Sequence, residues 1–96
     1  MIALSSRVVA SQDQVSAEVG GEAVILGMHD ATYYGLNEVA ARIWSLIQEP
    51  RPVREVCDAI LAEYEVDEST CERTTLTLLN DLLARGLLTV VGGPPP

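Results

Sequence analysis

The hydrophobic pattern of this chain changes its period near Asn37, and that change constrains the fold more than any other feature. Before Asn37, apolar residues alternate with polar ones or form short runs, as they do in β-strands. After it, apolar residues recur every three or four positions, as along the buried face of a helix. A chain of 96 residues has room for one small core. We therefore expect a single α+β domain in which the strands come first.

Strands are predicted in the first half of the chain. Apolar Val15 and Ala17 alternate with polar neighbours, which indicates a strand with one buried face. Gly20 and Gly21 suit the positive φ angles of a two-residue hairpin turn. The strands are predicted at residues 14–19, 22–28 and 32–36, with a further short strand around Val8 and Val9.

Helices are predicted in the second half. Asn37 and Asp67 are suitable N-caps, because their side-chain oxygens accept backbone N–H groups that the first helical turn leaves unpaired. Gly86 suits the left-handed residue that commonly ends a helix. The helices are predicted at residues 37–48, 52–64 and 68–85, followed by a short extended segment at 87–91.

These elements together predict the architecture. Three antiparallel strands followed by three helices form an α+β domain of the winged helix-turn-helix type. The domain is expected to span residues 1–91. Residues 92–96 read GGPPP and are expected to be a flexible tail, because proline lacks the N–H group that a helix or sheet needs.

Charge and composition exclude several classes of function. The chain has no Lys, and six Arg face fourteen acidic residues, for a net charge of −8. Such a surface repels nucleic acids and attracts cationic partners. The sequence contains no signal peptide and no apolar run long enough to span a membrane, so we expect a cytoplasmic protein with no membrane partner. No CxxC or His-rich pattern indicates a metal, and no cofactor is expected.

Catalysis is not predicted, because the sequence lacks the residues that a catalytic constellation needs. His29 is the only histidine and lies in a predicted turn. Cys71 lies in the first turn of the third helix, where the helix dipole lowers a thiol pKa, but there is no second histidine to act as its base. Cys57 falls on the apolar stripe of the second helix and is read as a small core residue.

The third predicted strand is the most informative segment for binding. It lies at an edge of a three-stranded meander, and it carries no Lys or Pro of the kind that usually protects an edge. Its adjacent Tyr33 and Tyr34 point to opposite faces of the sheet. One interpretation is that another segment covers this edge and that the tyrosines are ordinary packing. The other is an edge left open for an extended peptide, which would bind as an additional strand.

The third predicted helix offers a second wall for such a site. Its core stripe is predicted at Leu76, Leu79 and Leu83, which leaves another face available. The residues predicted on that other face are Cys71, Thr74, Thr75 and Leu78. Leu78 and Leu82 exceed what a three-leucine stripe needs. They are either additional core residues or the lining of a groove for an apolar anchor.

The segment at residues 33–44, YYGLNEVAARIW, carries a resemblance to a known family. It is similar to the strand-to-helix signature of the PqqD-like family, the RiPP recognition elements. It resembles in particular the stand-alone form encoded with lasso peptides. Residues 15–18, 21–26, 63–67 and 82–88 resemble other parts of the family pattern in the same order. The linker at 49–52, EPRP, departs from it because it lacks the usual Gly and the Thr or Ser cap.

The resemblance implies a function and a set of binding residues. Family members bind the leader of a ribosomally made precursor peptide as an added strand along the third strand, against the third helix. In lasso systems the leader carries a Tyr-x-x-Pro type motif, a cysteine protease removes it, and a cyclase closes the ring. Carried onto this chain, the peptide-binding residues would be Ala31, Thr32, Tyr33, Tyr34, Gly35, Arg73, Thr74, Thr77, Leu78 and Asp81.

Other functions remain open from the sequence alone. A PqqD-like chaperone could present its precursor to a radical maturation enzyme instead of a peptidase. A winged-helix DNA-binding regulator would share the architecture, but the third helix carries only Arg73 and Arg85 against several acids. A carrier protein would need an Asp-Ser-Leu attachment site, which the sequence lacks.

Overall fold

The computed structural model describes residues 2–12, 14–27 and 33–91. In chain order, its elements are β1 Arg7–Ala10, β2 Gln14–Val19, β3 Glu22–Gly27, β4 Tyr33–Leu36, α1 Glu38–Leu46, β5 Arg51–Pro52, α2 Val53–Glu63, α3 Glu68–Ala84 and β6 Leu88–Val90. The predicted α+β class is confirmed, and the three helices lie within about two residues of their predicted bounds. The predicted tail at 92–96 lies outside the described residues.

The first sheet is the predicted antiparallel meander, with strand order β2-β3-β4. Val19 pairs with Glu22, so Gly20 and Gly21 alone form the hairpin turn, with φ angles of 61° and 86°. Left-handed values at both positions match the right-handed twist of the two strands, which is why glycine is needed there. The predicted turn at residues 29–31 lies outside the described part of the chain.

The structure contains a second three-stranded sheet, which the sequence analysis did not predict. β1 lies at its centre, between β5 and β6, and both pairings are antiparallel. Val8 on β1 is fully buried, so the strand expected around Val8 and Val9 is confirmed and belongs to the core. The segment before β1 also supplies carbonyl groups to α2. Ser6 and Leu4 accept the N–H groups of Val53 and Arg54 at 2.9 and 3.1 Å, where Pro52 provides no side-chain cap.

The buried face of the meander differs from the prediction. Val15 is 53% exposed and Ala17 is exposed, so the expected burial of these β2 side chains is wrong. The core contacts come from the central strand instead, where Ala23 and Ile25 are buried. β2 is an outer strand that pairs with β3 alone among the described residues, and it lies farther from α1, the helix that packs on β3.

The helix termini follow the predicted capping. The Asn37 side chain accepts the N–H of Ala40, and the Asp67 side chain accepts the N–H of Thr70, both at 2.9 Å. At the end of α3, Gly86 has a φ of 73°. Two backbone hydrogen bonds close this end in a Schellman motif, Gly86 N–H to Leu83 O at 3.0 Å and Leu87 N–H to Leu82 O at 2.9 Å.

The buried stripe of α3 also differs from the prediction. Its buried members are Cys71, Thr75, Leu79 and Leu82. Leu76 and Leu83 are only partly buried, so the predicted stripe is correct at Leu79 alone. Small residues occupy the first half of the stripe because α2 packs closely there, where the Cys71 thiol contacts the Cys57 carbonyl at 3.7 Å. Cys71 and Thr75 are therefore core residues, and their assignment to a groove wall is wrong.

Burial also determines the chemistry of the two cysteines. Both are free thiols, and each exposes less than 5% of its surface. Burial raises the pKa of the Cys57 thiol to about 11. Cys57 is thus the small core residue that its position on the stripe predicts, and the buried Cys71 is not presented to a substrate.

We expect Gly86→Ala to lower the free energy of unfolding by about 1–2 kcal/mol, because a Cβ strains the left-handed conformation. Urea denaturation monitored by circular dichroism measures this change. Gly35→Ala is the matched control, since Gly35 has no left-handed φ and no atom lies within 4 Å of an added Cβ. Equal loss of stability in both variants would contradict the assigned role of Gly86.

Candidate functional site

A groove of about 670 Å³ runs between β4 and α3, and α1 forms its floor. Its lining combines an apolar floor with a polar rim contributed mainly by α3. The lining residues are Tyr34, Gly35, Leu36, Asn37, Val39, Ala40, Ile43, Thr74, Thr77, Leu78, Asn80, Asp81 and Ala84. A concave site of this size, apolar with a few convergent polar groups, is typical of a binding site.

The alternation of side chains along β4 forms one wall of the groove. Leu36 is buried in the core, and Tyr34, two residues earlier on the same face, is partly buried against α3. Tyr33 and Gly35 point to the opposite, outer face of the sheet, where Tyr33 is 72% exposed. The prediction that the two tyrosines face opposite sides of the sheet is therefore correct, and only Tyr34 lines the groove.

Helical spacing on α3 forms the other wall. Thr74, Thr77, Leu78 and Asp81 recur at intervals of three and four residues, so they share one face of the helix. This face lies beside the buried stripe, and Leu78 packs partly against the core while still lining the groove. Both interpretations of Leu78, core residue and groove lining, are thus partly correct.

The floor is held in place by contacts at the start and in the middle of α1. Asn37 caps its first turn, as described above. Farther along α1, Arg42 forms a bidentate ion pair with Glu63 at the end of α2, with distances of 2.8 and 2.9 Å. Planar two-bond pairing of this kind fixes geometry better than a single charge contact does. The floor residues Val39, Ala40 and Ile43 therefore have a defined position relative to the walls.

Three side chains join β4 to α3 across the groove. The Tyr34 hydroxyl donates a hydrogen bond to Asp81 Oδ2 at 2.6 Å. Arg85 lies with its guanidinium carbon 5.0 Å from the centre of the Tyr34 ring, and its Nε is 3.5 Å from Asp81 Oδ1. Burial, followed by the hydrogen bond to Asp81, raises the pKa of the Tyr34 hydroxyl to about 12. The tyrosine therefore remains a neutral hydrogen-bond donor at physiological pH.

The main-chain edge of β4 is the remaining element of the site. Within the described residues, β4 pairs with β3 on one side and with no strand on the other. Alternate N–H and C=O groups along that free edge are consequently available to another extended chain. The groove lies beside this edge, so an added strand would present alternate side chains to it.

The structure brings together most of the predicted site residues. Those that line the groove are Tyr34, Gly35, Thr74, Thr77, Leu78 and Asp81. Tyr33 lies on the outer face, and Arg73 is exposed on α3 without lining the groove. Ala31 and Thr32 lie outside the described residues. The sequence analysis missed the floor, because Val39, Ala40 and Ile43 have the spacing of ordinary core residues.

The part of the chain that the structure describes does not bring together the residues that a metal site or a membrane-spanning helix would need. The described residues contain no cluster of His, Cys, Asp or Glu able to hold a metal ion. His29 lies outside the described residues. No helix in the described ranges is both long and apolar enough to cross a bilayer. The groove is therefore the site that the geometry of these residues supports.

Comparison with models of protein families identifies the family to which the chain belongs. Residues 22–88 match the model of coenzyme PQQ synthesis protein D (PqqD), which covers β3 through the start of β6. The chain belongs to the PqqD family. The resemblance of its sequence to PqqD-like RiPP recognition elements is thereby confirmed.

Two solved structures resemble this PqqD-family chain along most of its length. TbiB1 in complex with the TbiA(beta) leader peptide is 41% identical, with a TM-score of 0.76, over 91% of this chain and 99% of that one. Lasso peptide synthetase B1 complexed with the leader peptide is 23% identical, with a TM-score of 0.74, over 85% and 96%. The second likeness concerns the fold alone. No curated protein matches the chain.

We expect Asp81→Asn to lower the pKa of Tyr34 from about 12 but to leave it above its ordinary value of 10.0, because burial is the larger cause of the shift. Because the folded state raises the pKa of the Tyr34 hydroxyl, its proton contributes to the free energy of unfolding. This contribution is fully present below pH 10 and is lost as pH rises through about 12. An alkaline titration of tyrosinate absorbance measures the pKa, and Tyr34→Phe identifies the signal. An unchanged titration in Asp81→Asn would contradict the hydrogen bond.

Proposed function

We propose that this PqqD-family chain binds the leader of a ribosomally made precursor peptide, which lies as an added strand along β4. The observation that carries the proposal is the free edge of β4 directly beside a groove lined by α3. The solved structure of TbiB1, which is 41% identical over most of this chain, is a complex with the TbiA(beta) leader peptide. The resemblance of residues 33–44 to the form encoded with lasso peptides makes a lasso-peptide leader the first candidate.

The proposed contacts divide into main-chain and side-chain contacts. Hydrogen bonds along β4 supply affinity that does not depend on sequence, and the groove selects side chains of suitable shape. The proposed contact residues are Ala31, Thr32, Tyr33, Tyr34 and Gly35 on and before β4, with Arg73, Thr74, Thr77, Leu78 and Asp81 on α3. The apolar floor formed by Val39, Ala40 and Ile43 favours an aliphatic or aromatic anchor on the leader.

The charge of the chain favours a basic leader. A net charge of −8 attracts a cationic peptide and raises its association rate, most strongly at low salt. The same charge disfavours the winged-helix DNA-binding function, because neutralising phosphates requires Lys and Arg. At the C-terminal end of α3, moreover, Arg85 is already paired with Asp81 and Tyr34. We therefore propose that the domain is a winged helix-turn-helix that binds a peptide and not DNA.

We further propose that the bound leader is delivered to a cysteine leader peptidase in the cytoplasm, before a cyclase acts on the product. Recognition elements of this family are in general non-catalytic binding partners. Holding the leader and the peptidase together makes their encounter nearly intramolecular, with effective concentrations on the order of mM. The binding domain then contributes to cleavage without any catalytic residue of its own.

A second candidate function keeps leader binding and changes the enzyme. The matching family is described by its role in coenzyme PQQ synthesis, which favours a chaperone for a radical maturation enzyme. The resemblance of residues 33–44 to the form encoded with lasso peptides favours the lasso-type partner. The two functions differ in which enzyme gains activity in the presence of this chain.

We expect the chain to bind a fluorescein-labelled TbiA(beta) leader peptide saturably, and a shuffled peptide of the same composition far more weakly. Thr77→Trp should weaken binding about tenfold, or by about 1.4 kcal/mol, because the indole ring of the new side chain occupies the groove. Ser69→Trp is the matched control, since Ser69 is exposed on α3 and lies outside the groove lining. Fluorescence anisotropy gives both affinities, and an equal effect of the two substitutions would rule out this groove.

The strand-addition geometry has its own test in the same assay. N-methylation of the leader, one residue at a time, should weaken binding at every second position, because alternate residues of an added strand donate their N–H groups to β4. Alanine substitution at the same positions separates side-chain effects from main-chain effects. A loss without this alternation would show that the leader binds in another conformation.

Delivery predicts a kinetic effect on the partner enzyme. Cleavage of the precursor by its leader peptidase, at concentrations well below KM, should accelerate by about a hundredfold when this chain is added. Thr77→Trp should lose most of that acceleration, and Ser69→Trp should keep it. Acceleration that survives Thr77→Trp would mean that the chain activates the enzyme without carrying the leader.

A further inference from the structure

A second depression, of about 400 Å³, lies on the outer face of the β2-β3-β4 sheet, on the other side of β4 from the groove. It is lined by Ala17, Glu22, Ala23, Val24, Gly35, Leu36 and Asn37. Gly35, Leu36 and Asn37 also line the groove, so the end of β4 separates the two concavities. We refer to this second concavity as the outer depression.

Gly35 is the residue whose lack of a side chain opens the outer depression toward the free edge. Its backbone is not left-handed, and no atom lies within 4 Å of the position that a Cβ would take. Neither conformation nor packing therefore requires glycine here, although glycine weakens a strand interior. A strand glycine without such a reason often marks a place where another chain approaches closely.

The register of the strands defines what a long side chain could reach across Gly35. Gly35 pairs with Val24 on β3, and Val24 is 44% exposed on the outer face. Val24 is roughly 9–10 Å from a strand added at the β4 edge, since neighbouring strands lie about 4.8 Å apart. A residue of the added strand opposite Gly35 would share its outward direction. Only a long, unbranched side chain would reach Val24 and the carboxylate of Glu22, which lies two residues away along β3 on the same face.

The charge of the outer depression indicates which end group that side chain should carry. Glu22 is exposed and is the only charged residue in the lining, and the lining contains no cation to neutralise it. Val24 and Ala17 provide an apolar surface along the way. An aliphatic stem that ends in a cation complements both features, as in Lys or Arg.

We propose that the outer depression is a second specificity subsite, which receives an outward-facing Lys or Arg side chain of the bound leader across Gly35. The inference rests on the strand addition proposed above and adds a requirement on the leader sequence. The groove selects the side chains on one face of the added strand. The outer depression selects a basic side chain on the other face, at the position opposite Gly35.

The experiment uses TbiA(beta) leader peptides in which each position in turn carries Arg or Glu. For the wild-type chain, we expect one position at which the Arg peptide binds about two- to fivefold more tightly than the Glu peptide, the size of an exposed ion pair. Glu22→Gln should bring that ratio close to one, and Glu22→Lys should invert it. Glu18→Gln, a carboxylate on β2 outside the depression, should keep the ratio and so corrects for net charge.

Gly35→Val provides an independent arm. It should abolish the Arg preference at the same position because its side chain blocks the passage, while its midpoint of thermal unfolding stays equal to or above that of the wild type. A ratio unchanged by both Glu22→Gln and Gly35→Val, or no position with an Arg preference, would overturn the subsite and leave leader binding intact. Failure of every peptide to bind the wild-type chain would overturn leader binding itself.

Discussion

The hydrogen bond between Tyr34 and Asp81 is the contact on which the geometry of the site depends. β4 has only four residues and pairs with β3 alone in the described structure, so its position over the groove needs a second attachment. The 2.6 Å contact supplies that attachment, and Arg85 neutralises the carboxylate that accepts it. The edge can therefore remain open for another strand while the side chains below it hold the strand to α3.

Local signals in the sequence were sufficient for most of the elements. The caps at Asn37 and Asp67 and the turn at Gly20 and Gly21 each depend on residues within a few positions of one another, and the structure contains all of them. The second sheet depends on pairings between distant segments. The strand at Val8 and Val9 and the extended segment at 87–91, which contains β6, were both predicted from the sequence. β5 has only two residues, too few for any period to show, and the pairing of β1 with β5 and β6 was not predictable.

Site residues were predictable where their positions follow from the regular spacing of side chains along one strand or one helix. Opposite faces for Tyr33 and Tyr34 follow from the geometry of any strand, and the shared face of Thr74, Thr77, Leu78 and Asp81 follows from helical spacing. The floor was not predictable, since a groove residue on α1 and a core residue on α1 have the same spacing. The buried stripe of α3 was predicted incorrectly because leucines outnumber the places available, and close packing with α2 favours Cys71 and Thr75 there.

An open edge beside an apolar groove is also a site at which two copies of a chain could pair. The edge strand itself has no Lys, Pro or other charge to prevent such pairing. The net charge of −8 opposes it instead, because two copies repel each other at the distance at which their strands would meet. A basic peptide experiences the opposite force. Under the proposed function, the acidity that would attract a basic leader also protects the edge at which that leader would bind. Neutralising the surface acids would then weaken leader binding and promote self-association together.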